Sequence, residues 1–371
     1  MWISLRTMLC ALLVADCAVP GSVQARHLER IVVPPGAQGF LMAESERPFH
    51  PWGFNYGNKG RLMEDFWDKD WKSFASDFGR MKALGANVVR VHLQFGKFMD
   101  APNRPKRSAF KRLSRMLRLA ENARLYLDVT GLACYRPGDT PKWYDAMDEQ
   151  QRWAAQSNFW SAVAQTCAGS PSVFCYDLIN EPISPGKKRE PGCWGSGTTL
   201  GGYDFLQFIT LDPGGRKRED IPVEWIHVMN RAIRAKDKNA LITVGLLPWT
   251  EGWGYLSGFV PERIAPELDF LSVHIYPDAK KPGEAMEALR KCAVGKPVVV
   301  EETFPLSCTS QQEVKFLLES KEIAYGWLGH FDGLSLKEYD ALERQGKLTL
   351  PEAMYQGWER LFAKLKPELA P

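Results

Sequence analysis

A chain of 371 residues with 45% hydrophobic and 25% charged side chains has ample material for a large buried core, which excludes general disorder. Its 47 Lys and Arg against 44 Asp and Glu leave a net charge of +3, too slight to point to nucleic acid or an anionic membrane as a partner. The length exceeds an ordinary domain but suits one barrel of alternating strands and helices, and 13 Trp with 11 Tyr are more flat rings than such a core needs.

In chain order, residues 1–25 read as an export signal. Arg6 precedes an apolar stretch from Met8 to Ala15, and Val23-Gln24-Ala25 is a small-residue cleavage site. The apolar stretch is far too short to span a bilayer. A secreted or periplasmic protein is therefore expected, with residues 26–371 as one domain, no membrane attachment in the mature form and a monomeric state. Removing the signal leaves six cysteines, none in a C-x-x-C spacing, so neither a zinc nor a redox site is expected. In an exported chain these can form disulfides, and Cys134 with Cys193 is the expected pair because both fall in loops at one rim. Cys292 and Cys308 fall near opposite rims and are not expected to pair.

Residues Val32 to His50 read as a short hairpin closing the lower end of the domain. Eight short runs rich in β-branched or aromatic residues follow: Trp52 to Gly57, Asn87 to Leu93, Leu125 to Thr130, Val173 to Asn180, Leu241 to Leu246, Phe270 to Tyr276, Pro297 to Glu301 and Ala324 to Leu328. Between and after them, helical periodicity predicts Asp70 to Leu84, Ser108 to Ala123, Glu149 to Cys167, Val223 to Ala235, Pro261 to Ala265, Glu284 to Cys292, Gln311 to Ser320 and Glu352 to Leu365. This alternation is the mark of parallel βα units, and eight of them predict a (β/α)8 barrel. The connection from Ile183 to Asp220 is much longer than the others and reads as a loop lining the substrate site.

Active sites of such barrels lie at the C-terminal ends of the strands. The fourth strand ends in Asn180-Glu181-Pro182 and the seventh in Glu301-Glu302. Hydrolysis of a glycosidic bond needs two carboxylates facing each other across the scissile oxygen, and this placement supplies them. Glu301 and Glu302 are neighbours on a strand, so alternation sends them to opposite sides and assigns only one to the site. His274 and Tyr276, two residues apart, share a face.

Taken together, Trp52-Gly53-Phe54-Asn55, Asn87-Val88-Val89-Arg90, Asn180-Glu181-Pro182, His274-Ile275-Tyr276-Pro277, Lys296 to Glu302 and Gly326-Trp327 resemble, in order, the strand motifs of glycoside hydrolase family 5, the cellulase and mannanase family. The resemblance implies a retaining β-glycosidase acting on a β-linked glucan or mannan type polysaccharide or oligosaccharide without metal or organic cofactor. It implies Glu181 as general acid and base and Glu302 as nucleophile, leaving Glu301 as partner to a basic group in the helix layer. Arg90 matches the arginine that keeps the nucleophile charged, and Asn180 the asparagine that contacts the sugar 2-hydroxyl. Tyr276 matches the tyrosine that touches the nucleophile, and His274 a supporting histidine. The innermost sugar platform is expected at Trp327, with Phe331 second, and Trp249 and Trp253 are candidates for outer subsites. The chain departs from the family by lacking a histidine after the third strand, and Tyr135 is the candidate to replace its hydrogen bonding. A secreted carbohydrate-binding barrel without catalysis is the alternative from another class.

Overall fold

The computed structural model describes residues 27–250 and 254–371, so the export signal expected at 1–25 and Trp253 lie outside the described residues. Eight strands close into a barrel: β1 Trp52–Tyr56, β2 Val88–Gln94, β3 Tyr126–Ala133, β4 Val173–Asn180, β5 Ile242–Leu246, β6 Leu271–His274, β7 Val298–Glu302 and β8 Ala324–Phe331. Each strand pairs in parallel with its sequence neighbours, and β8 closes on β1. The (β/α)8 barrel read from the alternation is thus the fold.

The helices that follow the strands are α1 Trp71–Ala83, α2 Arg107–Ala123, α3 Glu149–Cys167, α4 Ile221–Arg234, α5 Pro261–Ile264, α6 Glu284–Lys291, α7 Ser310–Ser320, α8 Leu336–Arg344 and α9 Leu350–Leu369, with further single turns at Phe95–Phe98, Lys142–Asp145 and Gly254–Ser257. Several begin where a side chain caps the free amides of the first turn. At α3 the Asp148 carboxylate accepts from the Gln151 amide at 2.8 Å, and the Gln151 side chain accepts from the Asp148 amide at 3.3 Å. Ser335-x-x-Glu338 and Thr349-x-x-Glu352 close the same box at α8 and α9. Periodicity alone missed α8 and started α9 two residues late. The capping signature was present in the sequence at both places.

β3 runs three residues beyond its predicted end because Gly131 lets it pass the helix layer. A Cβ there would meet the Trp160 ring of α3 at 2.4 Å. Residues 31–49 form three short antiparallel strands, Ile31–Val32, Phe40–Met42 and Pro48–Phe49, rather than a two-stranded hairpin. They close the lower end as expected: Phe40 meets Phe174 and Phe270 edge-on at 5.2 Å, and Phe49 meets Tyr126 at 5.0 Å. All six cysteines among the described residues are free. Cys134 is packed among Arg152 and Thr140 whereas Cys193 is exposed on the long loop, so the expected bridge between them is not formed. No helix among the described residues is long and apolar enough to cross a membrane.

Phe40 is 2% exposed and wedged beneath the barrel. Phe40→Ala removes a large ring with little room for collapse and is expected to lower unfolding free energy by about 3 to 5 kcal/mol. A chemical denaturation curve coincident with that of the parent chain would contradict this role.

Candidate active site

Strand register brings the polar residues together. His330 of β8 sits beside Asn55 of β1, Asn55 beside Arg90 of β2, and Arg90 beside Asp128 of β3, so four neighbouring strands send one inward layer into the barrel. The Arg90 guanidinium is fully buried at its centre. Its Nη1 donates to Glu302 Oε1 at 2.5 Å and to Asn55 Oδ1 at 3.0 Å. Its Nη2 donates to Asp177 Oδ2 at 2.7 Å and Asn180 Oδ1 at 3.1 Å, and lies 3.4 Å from Glu301 Oε2.

Glu301 and Glu302 both point into the barrel, which corrects the expectation that Glu301 serves the helix layer. Between β6 and β7 the register slips: Val273 pairs with Val300, but His274 pairs with Glu302. This bulge sets two residues of β7 against one of β6 and suspends the alternation. β4 ends in a comparable break, where Glu181 adopts φ 44° while its amide still donates to Gly245 O at 2.8 Å. A non-glycine residue in this left-handed region is strained, and the turn allows consecutive Asn180 and Glu181 both to line the cleft.

His274 connects the two candidate catalytic groups. Its Nδ1 is 3.0 Å from Glu181 Oε1 and 3.6 Å from Glu302 Oε2, and its Nε2 is 3.2 Å from Glu301 Oε2. The facing donor atoms of Glu181, His274 and Glu302 lie within 4.8 Å of one another. Burial alone would depress the imidazole, but the Glu302 charge and the hydrogen bonds to Glu181 and Glu301 outweigh it and push His274 up to about 10. As an imidazolium it donates from both nitrogens and offers no lone pair to a metal.

Every close partner of Glu302 is a donor. Tyr276 OH donates to Oε2 at 2.5 Å, opposite the Arg90 bond to Oε1. Burial opposes ionisation, yet the charges of His274 and Arg90 hold Glu302 well below the usual carboxylate range. Because Tyr276 has one proton and gives it to Glu302, His330 Nε2 donates to the Tyr276 oxygen, at 2.9 Å. Beneath this layer the oxygens of Asp128, Asp177 and Glu301 lie within 4.8 Å of one another. Burial and then the Glu301 charge push Asp177 up to about 6 and Asp128 well above the ordinary range. Two cations serve this lower cluster, Arg90 beside Asp177 and Glu301 and His274 beside Glu301.

Above these groups opens a cavity of about 510 Å³, lined at its floor by Asn55, Asn180, Glu181, Tyr276 and Glu302. Trp327 does not reach it. It faces outward, 6.3 Å from Trp52, with Nε1 donating to Ser320 Oγ at 2.8 Å, and is 1% exposed. The expected sugar platform is therefore absent at that residue, and inward-facing His330 takes the corresponding place on β8. Phe331 borders the cavity but is itself packed against Tyr56. Trp249 is not among the described residues that line it. His92 and Tyr135, sharing a hydrogen bond of 2.5 Å, supply polar groups on the side where the third-strand histidine was missed. The sequence reading assigned no role to His92, His330, Asp128 or Asp177. His92 is legible in retrospect, two residues past Arg90 on the same face, and the two aspartates as charges inside otherwise apolar strands. From the long loop after β4, Leu200, Tyr203 and Phe205 line the cavity, as its length suggested.

The family model "Cellulase (glycosyl hydrolase family 5)" matches residues 46–316. Among solved structures, the exo-β-1,4-mannosidase from Opitutaceae bacterium strain TAV5 superposes with a TM-score of 0.64 at 18% identity, covering 90% of this chain and 63% of that one. The β-mannanase of the blue mussel Mytilus edulis gives 0.61 at 16% identity, covering 91% and 96%. The β-1,4-mannanase of the sea hare Aplysia kurodai gives 0.61 at 15%, covering 91% and 97%. At these identities the structural likeness is one of fold.

A histidine raised from about 6.5 in the unfolded chain to about 10 when folded contributes stability that is complete below the first value and is lost as pH rises through the second. The melting temperature of the parent chain should therefore exceed that of His274→Gln most near pH 6, with the gap narrowing toward pH 10. A gap that widens with rising pH contradicts the protonated state.

Proposed function

Since the chain belongs to glycosyl hydrolase family 5 and is a glycoside hydrolase, we propose that it is a retaining β-glycosidase cleaving β-linked glucan or mannan type polysaccharide or oligosaccharide by double displacement. The observation that carries this reading is the separation of Glu181 and Glu302, whose facing oxygens lie within 4.8 Å. Retaining enzymes hold their carboxyl groups about 5 to 5.5 Å apart, whereas inverting ones leave about 6.5 to 9.5 Å for a water.

The environments assign the roles. Glu302, surrounded by donors and kept ionised by His274 and Arg90, attacks the anomeric carbon and forms a glycosyl ester. Glu181, with a single hydrogen bond from His274 and an edge open to the cleft, gives its proton to the leaving oxygen. It then takes a proton from the water that cleaves the ester, and two inversions at one carbon restore its configuration. Asn180 is held by Arg90 Nη2 at 3.1 Å and donates to Phe205 O at 3.2 Å, which fixes its amide at the floor of the cleft beside Glu181. The names of the structural relatives make β-mannans the first polymers to assay, with β-glucans beside them. We further propose export directed by residues 1–25, which N-terminal sequencing of the mature protein would test.

Glu302→Gln and Glu181→Gln should each lower kcat on β-mannan or β-glucan by at least about a thousandfold with the fold intact by circular dichroism. Near-parent turnover in either variant rejects the assignment. For an aryl β-glycoside with a good leaving group, the Glu181 variant should recover activity with added azide and yield the β-glycosyl azide. Proton NMR of fresh product from the parent enzyme should show the β-anomer first, and an α-anomer at early times would rule out double displacement.

A further inference from the structure

The cavity is segregated by height. Its floor carries the carboxylates, amides, imidazoles and the Tyr276 hydroxyl, enough to satisfy the hydroxyls of a bound sugar. Around it stands an aliphatic and aromatic set, Leu62, Met63, Leu200, Phe205, Phe304 and Leu306, interrupted by Asn58, Arg61, Tyr203 and Asp332. Among the described residues the large apolar side chains left exposed are Leu200 (68%), Leu256 (48%), Leu306 (56%), Leu350 (77%) and Met354 (41%). All of them follow a barrel strand: Leu200 after β4, Leu256 after β5, Leu306 after β7, and Leu350 and Met354 in the first turns of α9, beside the cavity-lining Tyr355. Isolated apolar side chains on a surface need no explanation, but Leu200 and Leu306 line the cleft itself.

A polysaccharide presents hydroxyls at every subsite, and aliphatic walls leave those hydroxyls without partners once water is displaced. An alkyl chain has no such requirement and gains from burial against the same walls. The end of the substrate it belongs to follows from the acid. Glu181 must lie beside the leaving oxygen, and it opens on the same cavity that Leu200 and Leu306 line, so the leaving group departs into that cavity. We propose that the collar receives the alkyl aglycone of an amphiphilic β-glycoside, the chain lying between Leu200 and Leu306 while the sugar occupies the polar floor. The orientation rests on the assignment of Glu181 as the acid, and the substrate class is narrower than the polymers named above.

Methyl and octyl β-glycosides of one sugar, glucose and then mannose, used below the micelle concentration, test this by two independent readouts. Calorimetric titration of the Glu302→Gln variant should give a Kd at least tenfold lower for the octyl than for the methyl glycoside. Steady-state kinetics of the parent enzyme should give a kcat/KM ratio in the same sense. Leu200→Ser and Leu306→Ser should each bring the octyl-to-methyl ratio toward one. A ratio near one in the parent chain, no measurable octyl binding, a gain that survives both substitutions, or tighter binding of a hexasaccharide than of the octyl glycoside would each overturn the proposal. Octyl-selective binding without turnover of any β-glycoside would leave the collar standing and remove the retaining mechanism. Equal turnover of methyl and octyl substrates would do the reverse.

Discussion

The buried guanidinium of Arg90 is the constraint around which the rest of the barrel mouth is arranged. A carboxylate taken out of water is stable only beside a compensating charge, and this barrel interior holds Asp128, Asp177 and Glu301 below a fourth acid, Glu302. Arg90 reaches the upper acid with one nitrogen and Asp177 with the other, because its planar fork presents two donor directions at once. A lysine at this place would serve one of them. Removing one partner from such a cluster costs about 3 to 5 kcal/mol, which ties the geometry of the site to the integrity of the fold. Burial and the Glu301 charge push Asp128 well above the ordinary carboxylate range, which eases the remaining imbalance.

The arrangement depends on departures from regular strand geometry at the C-terminal ends. A regular β7 would send one of Glu301 and Glu302 outward, leaving either the proposed nucleophile or the partner of His274 on the wrong side. The bulge opposite His274 lets the strand deliver both. On β4 the left-handed backbone of Glu181 achieves the same for Asn180 and Glu181. Gly245, facing both, keeps the space: a Cβ there would sit 2.8 Å from Arg90 Nη2 and 3.0 Å from Glu301 Oε2.

These departures explain what was legible in the sequence and what was not. The strands could be read because each is a short run rich in β-branched or aromatic residues, and α3 was placed to the residue because Asp148 caps it and Gly169 ends its apolar face. The two carboxylate-bearing strand ends could be read from position, while the choice of Glu302 over Glu301 came from the resemblance to the family. What failed were readings that assumed unbroken alternation, such as Glu301 facing the helix layer, or that ignored it, such as Trp327 facing the cleft. Trp327 pairs with Trp52, so the parity that buries the first ring against Phe362 also buries the second. A bulge arises from pairing between distant segments and leaves no mark in the residues that form it. The Cys134 to Cys193 bridge failed for a related reason: sharing a rim does not fix the path of a long loop.

The same parity bears on how the proposed reaction keeps its charge constant. Before bond cleavage Glu302 is the anion and Glu181 the acid; in the glycosyl ester Glu302 is neutral and Glu181 has lost its proton. One negative charge therefore moves across the cleft, while the cation that faces it need not. His274 is fixed from below by Glu301 and from the side by barrel packing, and its Nδ1 stands 3.0 Å from Glu181 and 3.6 Å from Glu302. A small reorientation of one N–H lets it follow the charge from one glutamate to the other. The site then stabilises both halves of a double displacement with the same preorganised dipoles, which is the economical way to stabilise charge in a water-poor cavity. Glu301, unremarkable as a glutamate at the end of a strand, matters because it holds that imidazolium in place from the dry side.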